Sequence, residues 1–213
     1  MLDNKGFDVW AEEYDTSVKL SNEDNTYPFA GYNEIIYKIY KKVISKSNAT
    51  VLDIGFGTGT LTQKLYQYGC DIYGQDFSLK MIELASNRMP NANLYQGDFT
   101  KGVVEQLKQR LYDFIIATYS IHHLKRDEKV KFLYELLSLL NKNGMILIGD
   151  VMFETQKELE KCREELLDKW DNDEFYCVVS DLKKEFPNLQ FERISFCSGI
   201  ISLSKWRVYI IWY

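Results

Sequence analysis

Three glycines occupy every second position in the stretch V-L-D-I-G-F-G-T-G, residues 51–59, and Asp53 stands two residues before the first of them. The apolar start is typical of a parallel strand that is buried on both faces. Glycines allow a sharp turn and a close approach to a ligand because they carry no Cβ. Apolar residues then recur at helical spacing, at Leu61, Leu65 and Tyr68. The stretch therefore predicts a strand, a turn and a helix whose first amides face a small ligand.

A second carboxylate, Asp76, ends the next apolar run, which predicts a strand over residues 71–75. Asp76 follows Gly55 by 21 residues, about where a doubly wound α/β fold places the acid that bonds ribose hydroxyls. Thr60 stands where a dinucleotide site needs a small residue for close packing of the helix on the strand. Asp53 also repels a pyrophosphate but suits an ammonium group or an ordered water. These residues favour a ligand with an adenosine end and an amino-acid end. A nicotinamide dinucleotide stays open as the weaker alternative.

Strands and helices alternate through the rest of the chain. Besides the elements above, hydrophobic spacing predicts helices over residues 32–46, 103–110, 127–140, 155–170 and 178–186, and strands over 94–96, 112–118 and 145–149. Two closing β-rich runs, 190–197 and 206–213, are predicted to pair antiparallel because their linker is too short for a crossover helix. This order predicts an α/β fold with a largely parallel sheet.

Length, charge and composition limit the functional classes. A chain of 213 residues that is 46% hydrophobic predicts one globular domain. A net charge of −5 gives no global attraction to nucleic acid or to an anionic membrane. Four widely spaced cysteines and only two histidines, which are adjacent, predict free thiols and no metal site. No signal peptide or apolar run long enough to span a membrane is found, so a cytoplasmic monomer or homodimer is expected.

Four motifs, in order along the chain, resemble those of class I S-adenosylmethionine-dependent methyltransferases: V-L-D-I-G-F-G-T-G, G-Q-D-F-S, Q-G-D-F and D-F-I-I-A-T-Y-S-I-H-H-L. Residues 7–15 also resemble the lid region of small bacterial members. The resemblance implies a Rossmann-like, seven-stranded, mostly parallel sheet with a C-terminal antiparallel hairpin and helices on both faces. It further implies a lid region over residues 1–46, a cofactor-binding core over 47–150, and substrate-side helices with the closing hairpin over 151–213.

The resemblance also implies a role for each matching residue. The methionine part of the cofactor would be held by Asp53 and by amides around Gly55, Gly57 and Gly59. Asp76 would bind both ribose hydroxyls, Asp98 would accept from the adenine amino group, and the ring would lie among Phe77, Met81 and Phe99. Thr118 and Tyr119 would flank the sulfonium, and Tyr14 would reach over from the lid. Phe56 departs from the family pattern, which more often has a smaller residue there, and is expected to fill space beside the cofactor.

The acceptor side is less well marked. His122 and His123 follow the fourth strand, where a substrate should enter, and one of them, His123 ahead of His122, could act as a general base. The alternative is that both only order the loop. The residues after that strand, A-T-Y-S, differ from the motif that methylates amines of DNA bases, so a small-molecule acceptor is expected. A non-catalytic adenosylmethionine or adenosylhomocysteine binder stays open, since its cofactor residues would be identical.

Overall fold

The structure, a computed structural model, describes residues 25–205, so the expectations for Tyr14 and for the run 206–213 lie outside the described residues. Six α-helices occur in this part of the chain: α1 (Tyr32–Val43), α2 (Thr60–Tyr68), α3 (Leu79–Arg88), α4 (Arg126–Ser138), α5 (Gln156–Leu166) and α6 (Val179–Glu185). Eight strands alternate with them: β1 (Thr50–Ile54), β2 (Asp71–Asp76), β3 (Asn93–Gln96), β4 (Tyr112–Thr118), β5 (Leu140–Phe153), β6 (Cys177–Val178), β7 (Gln190–Arg193) and β8 (Ser198–Ser204). Short 3-10 turns cover Phe99–Lys101, Glu105–Gln109, Ile121–His123 and Leu167–Lys169.

Seven of the strands form one sheet in the order β3-β2-β1-β4-β5-β8-β7, and β6 pairs with β5 outside this path. Strands β1 to β5 run parallel, whereas β8 is antiparallel to both β5 and β7. The predicted α/β fold with a C-terminal antiparallel hairpin is confirmed. Because the carboxyl ends of β1, β2, β4 and β5 meet at one edge, the loops that follow them are brought together there.

Four elements differ from the sequence prediction. The strand that pairs with β7 is β8, which lies in the predicted linker. Its buried Ser198 is accommodated because the hydroxyl donates to the carbonyl of Ala30 at 2.7 Å. The strand predicted over 145–149 is longer at both ends, because β5 begins at Leu140 and ends at Phe153. The predicted helix over 103–110 is only a 3-10 turn, and α5 ends at Leu166 rather than at Trp170.

Hydrophobic layers cover both faces of the sheet. One layer combines α1 and α2 with residues of β1, β4 and β5 and includes Ile35, Ile39 and Leu65. The other combines α4 and α6 with the opposite face, where Leu133 and Leu182 are buried. Such two-sided cover explains why β1 and β4 are buried almost throughout and have apolar residues on both faces. No helix among residues 25–205 is long and apolar enough to cross a membrane.

The contact between α1 and the centre of the sheet depends on Gly149 of β5, where an added Cβ would overlap Cγ2 of the fully buried Ile35. We expect Gly149→Ala to lower the free energy of unfolding by about 1–3 kcal/mol through overpacking. Ile35→Ala alone creates a cavity and should lower the free energy of unfolding by about 2–5 kcal/mol. In the double variant it also removes the methyl group that the new Cβ would overlap.

Urea denaturation of the two single variants and the double variant measures the coupling. The double variant should be less destabilised than the sum of the single variants by about 1 kcal/mol or more. Additive costs would contradict this account of how α1 packs on β5.

Candidate functional site

The turn after β1 requires its glycines. Gly55, Gly57 and Gly59 have φ angles of 68°, 56° and 79°, which side chains rarely adopt. A Cβ on Gly55 would lie 2.6 Å from Cβ of Ser120, so the loop after β4 approaches the turn closely. A Cβ on Gly57 would meet no atom within 4 Å. The turn is therefore packed on its β4 side and open beside its middle glycine.

Asp76 holds this turn from the end of β2. One carboxylate oxygen accepts from the amide of Gly57 at 2.8 Å, and the other accepts from the amide of Ser78 at 2.9 Å. The side chain is buried, and Ser78 in turn caps α3 by accepting from the amide of Met81 at 3.2 Å. The predicted strand-end acid thus faces the glycine turn and has both oxygens oriented before any ligand binds.

Asp53 is buried beneath the turn, with 1% of its surface exposed. Its Oδ2 accepts from the hydroxyl of Thr62 at 2.5 Å, but its buried Oδ1 has no hydrogen-bond partner in the described part of the chain. Burial raises the pKa of Asp53 to about 7; the Thr62 hydrogen bond opposes this shift and the charge of Asp76 adds to it. A buried, unsatisfied carboxylate oxygen is a place for a ligand's ammonium group or an ordered water. This observation fits the amino-acid end of the ligand that the sequence favours.

The side chain of Phe56, in the glycine turn, points toward α3. It packs with Ala85 and Met89 under α3, and an added Cβ on Gly74 of β2 would lie 2.7 Å from its ring. The bulky ring therefore occupies space that Gly74 leaves between β2 and α3.

The residues expected around the adenine ring follow β2 and β3. Phe77 is half-buried, whereas Met81 and Phe99 are buried. Asp98 lies at the same edge, two residues after Gln96, the β3 partner of Asp76.

Asp98 also has local partners. It accepts from the amide and hydroxyl of Thr100 at 3.1 and 2.6 Å and lies 3.1 Å from Nζ of Lys101. Burial raises the pKa of Asp98, but these hydrogen bonds and the lysine charge outweigh it and hold the pKa below its usual value. Asp98 is thus an ionised acceptor that also caps the turn Phe99–Lys101.

Thr118 and Tyr119 lie where β4 leaves the sheet. Thr118 pairs with Gly149 of β5, and the amide of Tyr119 donates to the carbonyl of Gly149 at 2.8 Å. Tyr119 has a φ of 50° and a buried ring whose centroid is 5.1 Å from that of Phe29 and 5.2 Å from that of Tyr32. The segment before α1 therefore packs on the loop after β4.

The two histidines meet two carboxylates in the turn after Tyr119. Nδ1 of His122 lies 2.7 Å from Oδ1 of Asp150, and its Nε2 lies 3.2 Å from Oε2 of Glu174. Nδ1 of His123 lies 3.3 Å from the same Glu174 oxygen. Burial lowers the pKa of His122, but the charge and hydrogen bond of Asp150, together with Glu174, outweigh it and raise the pKa above its ordinary value.

Sequence reasoning missed Asp150, Glu174 and Lys129. Asp150 could have been found by the argument used for Asp76, since it lies near the end of an apolar strand. Glu174 lies in a polar segment without periodicity, so no sequence signal distinguishes it. The ammonium group of Lys129 is buried and donates to the carbonyls of Leu124 and Phe175, although a lysine on α4 is expected to face solvent.

Two of the clefts in the described part of the chain differ in their position relative to the sheet. The larger, about 580 Å³, lies between α1 and the second half of α2, away from the carboxyl ends of the strands. The smaller, about 310 Å³, adjoins Glu174 and is lined by aromatic rings such as Trp170 and Tyr176 and by Arg126 and Arg163. The smaller cleft is the better candidate for a substrate site, because ligands of open α/β sheets bind at the carboxyl edge of the sheet.

Comparison with known proteins agrees with this geometry. A family model described as "Methyltransferase domain" matches residues 51–144, from β1 into β5. An uncharacterized methyltransferase of Alkaliphilus oremlandii is 34% identical over 183 residues, which is 86% of this chain and 81% of that protein. Another, from Bacillus cytotoxicus, is 35% identical and covers 95% of this chain and 88% of its own length.

Solved structures share the fold. Magnesium protoporphyrin IX methyltransferase from Synechocystis, with bound SAH, superposes with a TM-score of 0.63 at 18% identity and covers 81% of this chain and 82% of that one. The complex of DhpI with SAH superposes with a TM-score of 0.67 at 16% identity, and the superposition covers 92% of this chain and 91% of DhpI. The described sheet and the curated relatives together lead to one assignment: the chain belongs to the class I S-adenosylmethionine-dependent methyltransferases, and its cofactor is S-adenosylmethionine.

Proposed function

We propose that this methyltransferase acts on a small-molecule acceptor. The cleft of about 310 Å³ beside Glu174 is at the small end of the range for small-molecule sites. Its aromatic walls and two arginines suit an acceptor that carries an apolar part and a polar or anionic group. The net charge of −5 gives no support to a nucleic-acid acceptor.

The observation that carries the placement of the cofactor is the pair of buried carboxylates, Asp53 and Asp76, on either side of one glycine turn. Ribose hydroxyls would donate to Asp76, whose oxygens the Gly57 and Ser78 amides already orient. The ammonium group would compensate the unsatisfied Oδ1 of Asp53. The methionine part would then lie beside Gly57, where the turn is open.

The remaining cofactor contacts follow from the same placement. The adenine ring would lie among Phe77, Met81 and Phe99, with its amino group on Asp98. The sulfonium would point toward Thr118 and Tyr119, and Gly55 and Gly59 would shape the two ends of the turn. The proposal includes Tyr14 as a cover residue from the N-terminal segment.

Methyl transfer needs an acceptor atom in line with the sulfonium methyl group and little else, because the cofactor is already activated. Positioning of this kind supplies up to about 7–11 kcal/mol of barrier reduction. His123 and His122 are the proposed acceptor-side residues. Nε2 of His122 and Nδ1 of His123 both lie close to Oε2 of Glu174, so the acceptor would meet the two imidazoles and this carboxylate together.

Asp76→Ala tests the placement of the ribose. Wild-type protein should gain thermal stability with adenosylmethionine and adenosylhomocysteine, by about 2.7 kcal/mol at 100 times the Kd, and none with NAD. The variant should lose this ligand-induced shift. Its own melting temperature should also fall, because the Gly57 and Ser78 amides lose their acceptors.

Asp71→Ala is the matched control, since it removes the exposed aspartate at the opposite end of the same strand. The control should keep the full shift. A shift with NAD alone, or an undiminished shift in Asp76→Ala, would refute the proposed cofactor site.

Asp53→Asn tests the ammonium contact through pH. With a pKa of about 7, Asp53 is mostly protonated at pH 6 and mostly ionised at pH 8 in the free protein. An ammonium group prefers the ionised form, so calorimetry should find adenosylhomocysteine binding about tenfold weaker at pH 6 than at pH 8. The Asn variant, which can still accept from Thr62, should lack this dependence. Equal pH profiles in both proteins would place the ammonium group elsewhere.

A further inference from the structure

His122, His123 and Glu174 converge on one point at the carboxyl edge of the sheet. The two imidazoles come from the 3-10 turn after β4, and the carboxylate comes from the segment that precedes β6. One ligand atom from each residue lies within 4.8 Å of the other two. The side chains are largely enclosed, with 14%, 18% and 17% of their surfaces exposed.

The spacing of these atoms matches that of ligands on one metal ion. First-row divalent ions bind imidazole nitrogen and carboxylate oxygen at about 2.0–2.2 Å, so neighbouring ligand atoms at right or tetrahedral angles lie about 3.0–3.4 Å apart. Oε2 of Glu174 lies 3.2 Å from Nε2 of His122 and 3.3 Å from Nδ1 of His123. That oxygen is buried and accepts no hydrogen bond from any group within residues 25–205, although both nitrogens are so close.

Asp150 orients the first imidazole as an outer carboxylate does in metal sites. Its Oδ1 lies 2.7 Å from Nδ1 of His122, which directs the Nε2 lone pair toward Glu174. Asp150 is itself fully buried and accepts from the amides of Ile121, His122 and Val151 at 3.0, 3.2 and 2.7 Å. The outer carboxylate is therefore fixed by the backbone.

Backbone contacts also fix the third ligand. The amide of Phe175, next to Glu174, donates to the carbonyl of His122 at 2.8 Å. The buried ammonium group of Lys129 donates to the carbonyls of both Leu124 and Phe175. The segment that carries Glu174 is thus tied to the histidine turn, and the three ligand atoms can meet an ion with little rearrangement.

We propose that His122, His123 and Glu174 bind one divalent first-row transition metal ion, for which Zn²⁺ is the probe. Two imidazoles and one carboxylate leave at least one coordination position open, as in catalytic rather than structural sites. This site departs from the sequence expectation of no metal, which rested on the number and adjacency of the histidines.

The role of the ion, though not its binding, rests on the proposed function. A thiol or hydroxyl of the acceptor would bind at the open position, lose its proton to solvent and accept the methyl group from the sulfonium.

The experiment uses the untagged full chain, stripped with a chelator and titrated with Zn²⁺ by calorimetry. One ion should bind per chain. Glu174→Gln and His123→Ala should each weaken binding by at least about tenfold, and Asp150→Asn by roughly 10- to 100-fold. Glu165→Gln, which removes the same charge from an exposed position on α5, is the matched control and should bind as the wild type does.

Adenosylhomocysteine binding is measured on the same samples, which also reports whether each variant is folded. Absence of stoichiometric Zn²⁺ binding, or equal binding by wild type and Glu174→Gln, overturns the metal site and leaves the cofactor assignment intact. Zn²⁺ binding without any adenosylhomocysteine binding would sink the proposed function and leave the metal site standing. The visible absorption of bound Co²⁺ should show whether nitrogen and oxygen ligands, rather than cysteine thiolates, hold the ion.

Discussion

The carboxylate of Asp76 connects two loops at the carboxyl edge of the sheet. One of its oxygens binds the Gly57 amide in the turn after β1, and the other binds the Ser78 amide at the start of α3. Because one side chain satisfies amides of two loops, the shape of the glycine turn depends on the end of the neighbouring strand. In the proposed cofactor site the same oxygens would accept from ribose hydroxyls, and the two amides already fix their orientation.

Three buried carboxylates, those of Asp53, Asp76 and Asp150, lie at or near the carboxyl ends of β1, β2 and β5, and they differ in their hydrogen-bond partners. Asp76 accepts hydrogen bonds from two amides, and Asp150 accepts from three amides and lies beside an imidazole, so the fold compensates both for their burial. Asp53 accepts from a single hydroxyl, and burial raises its pKa to about 7 because that one hydrogen bond offsets only part of the desolvation. A ligand that brings a positive charge gains most at Asp53, because there it relieves a desolvation cost that the fold leaves uncompensated.

Much of the parallel core was predictable from local patterns. Residues 112–118 were predicted as a strand and form β4, and the glycine turn with Asp76 was placed correctly because glycine spacing and strand-end acids are local signals. The hairpin partner was misplaced because the serines and glycine of β8 read as a linker, whereas the buried Ser198 gains its partner from Ala30, far away in sequence. The position of Phe56 depends on the absence of a side chain at Gly74, which only the paired strands reveal.

The acceptor side was predictable only in part. The adjacent histidines were found because they follow an apolar strand, but Glu174 reaches them, and Lys129 reaches the carbonyl of Phe175, through tertiary contacts that leave no local pattern. Lys129 lies on the buried face of α4, where an apolar residue is expected. Its burial is possible because its ammonium group donates to two backbone carbonyls.

A crystal structure of the chain with adenosylhomocysteine tests the central claim most directly. The account predicts both ribose hydroxyls on Asp76, the ammonium group within hydrogen-bond distance of Oδ1 of Asp53, and the methionine part beside Gly57. Adenosylhomocysteine bound away from the glycine turn, or bound there with Asp76 making no ribose contact, would contradict it.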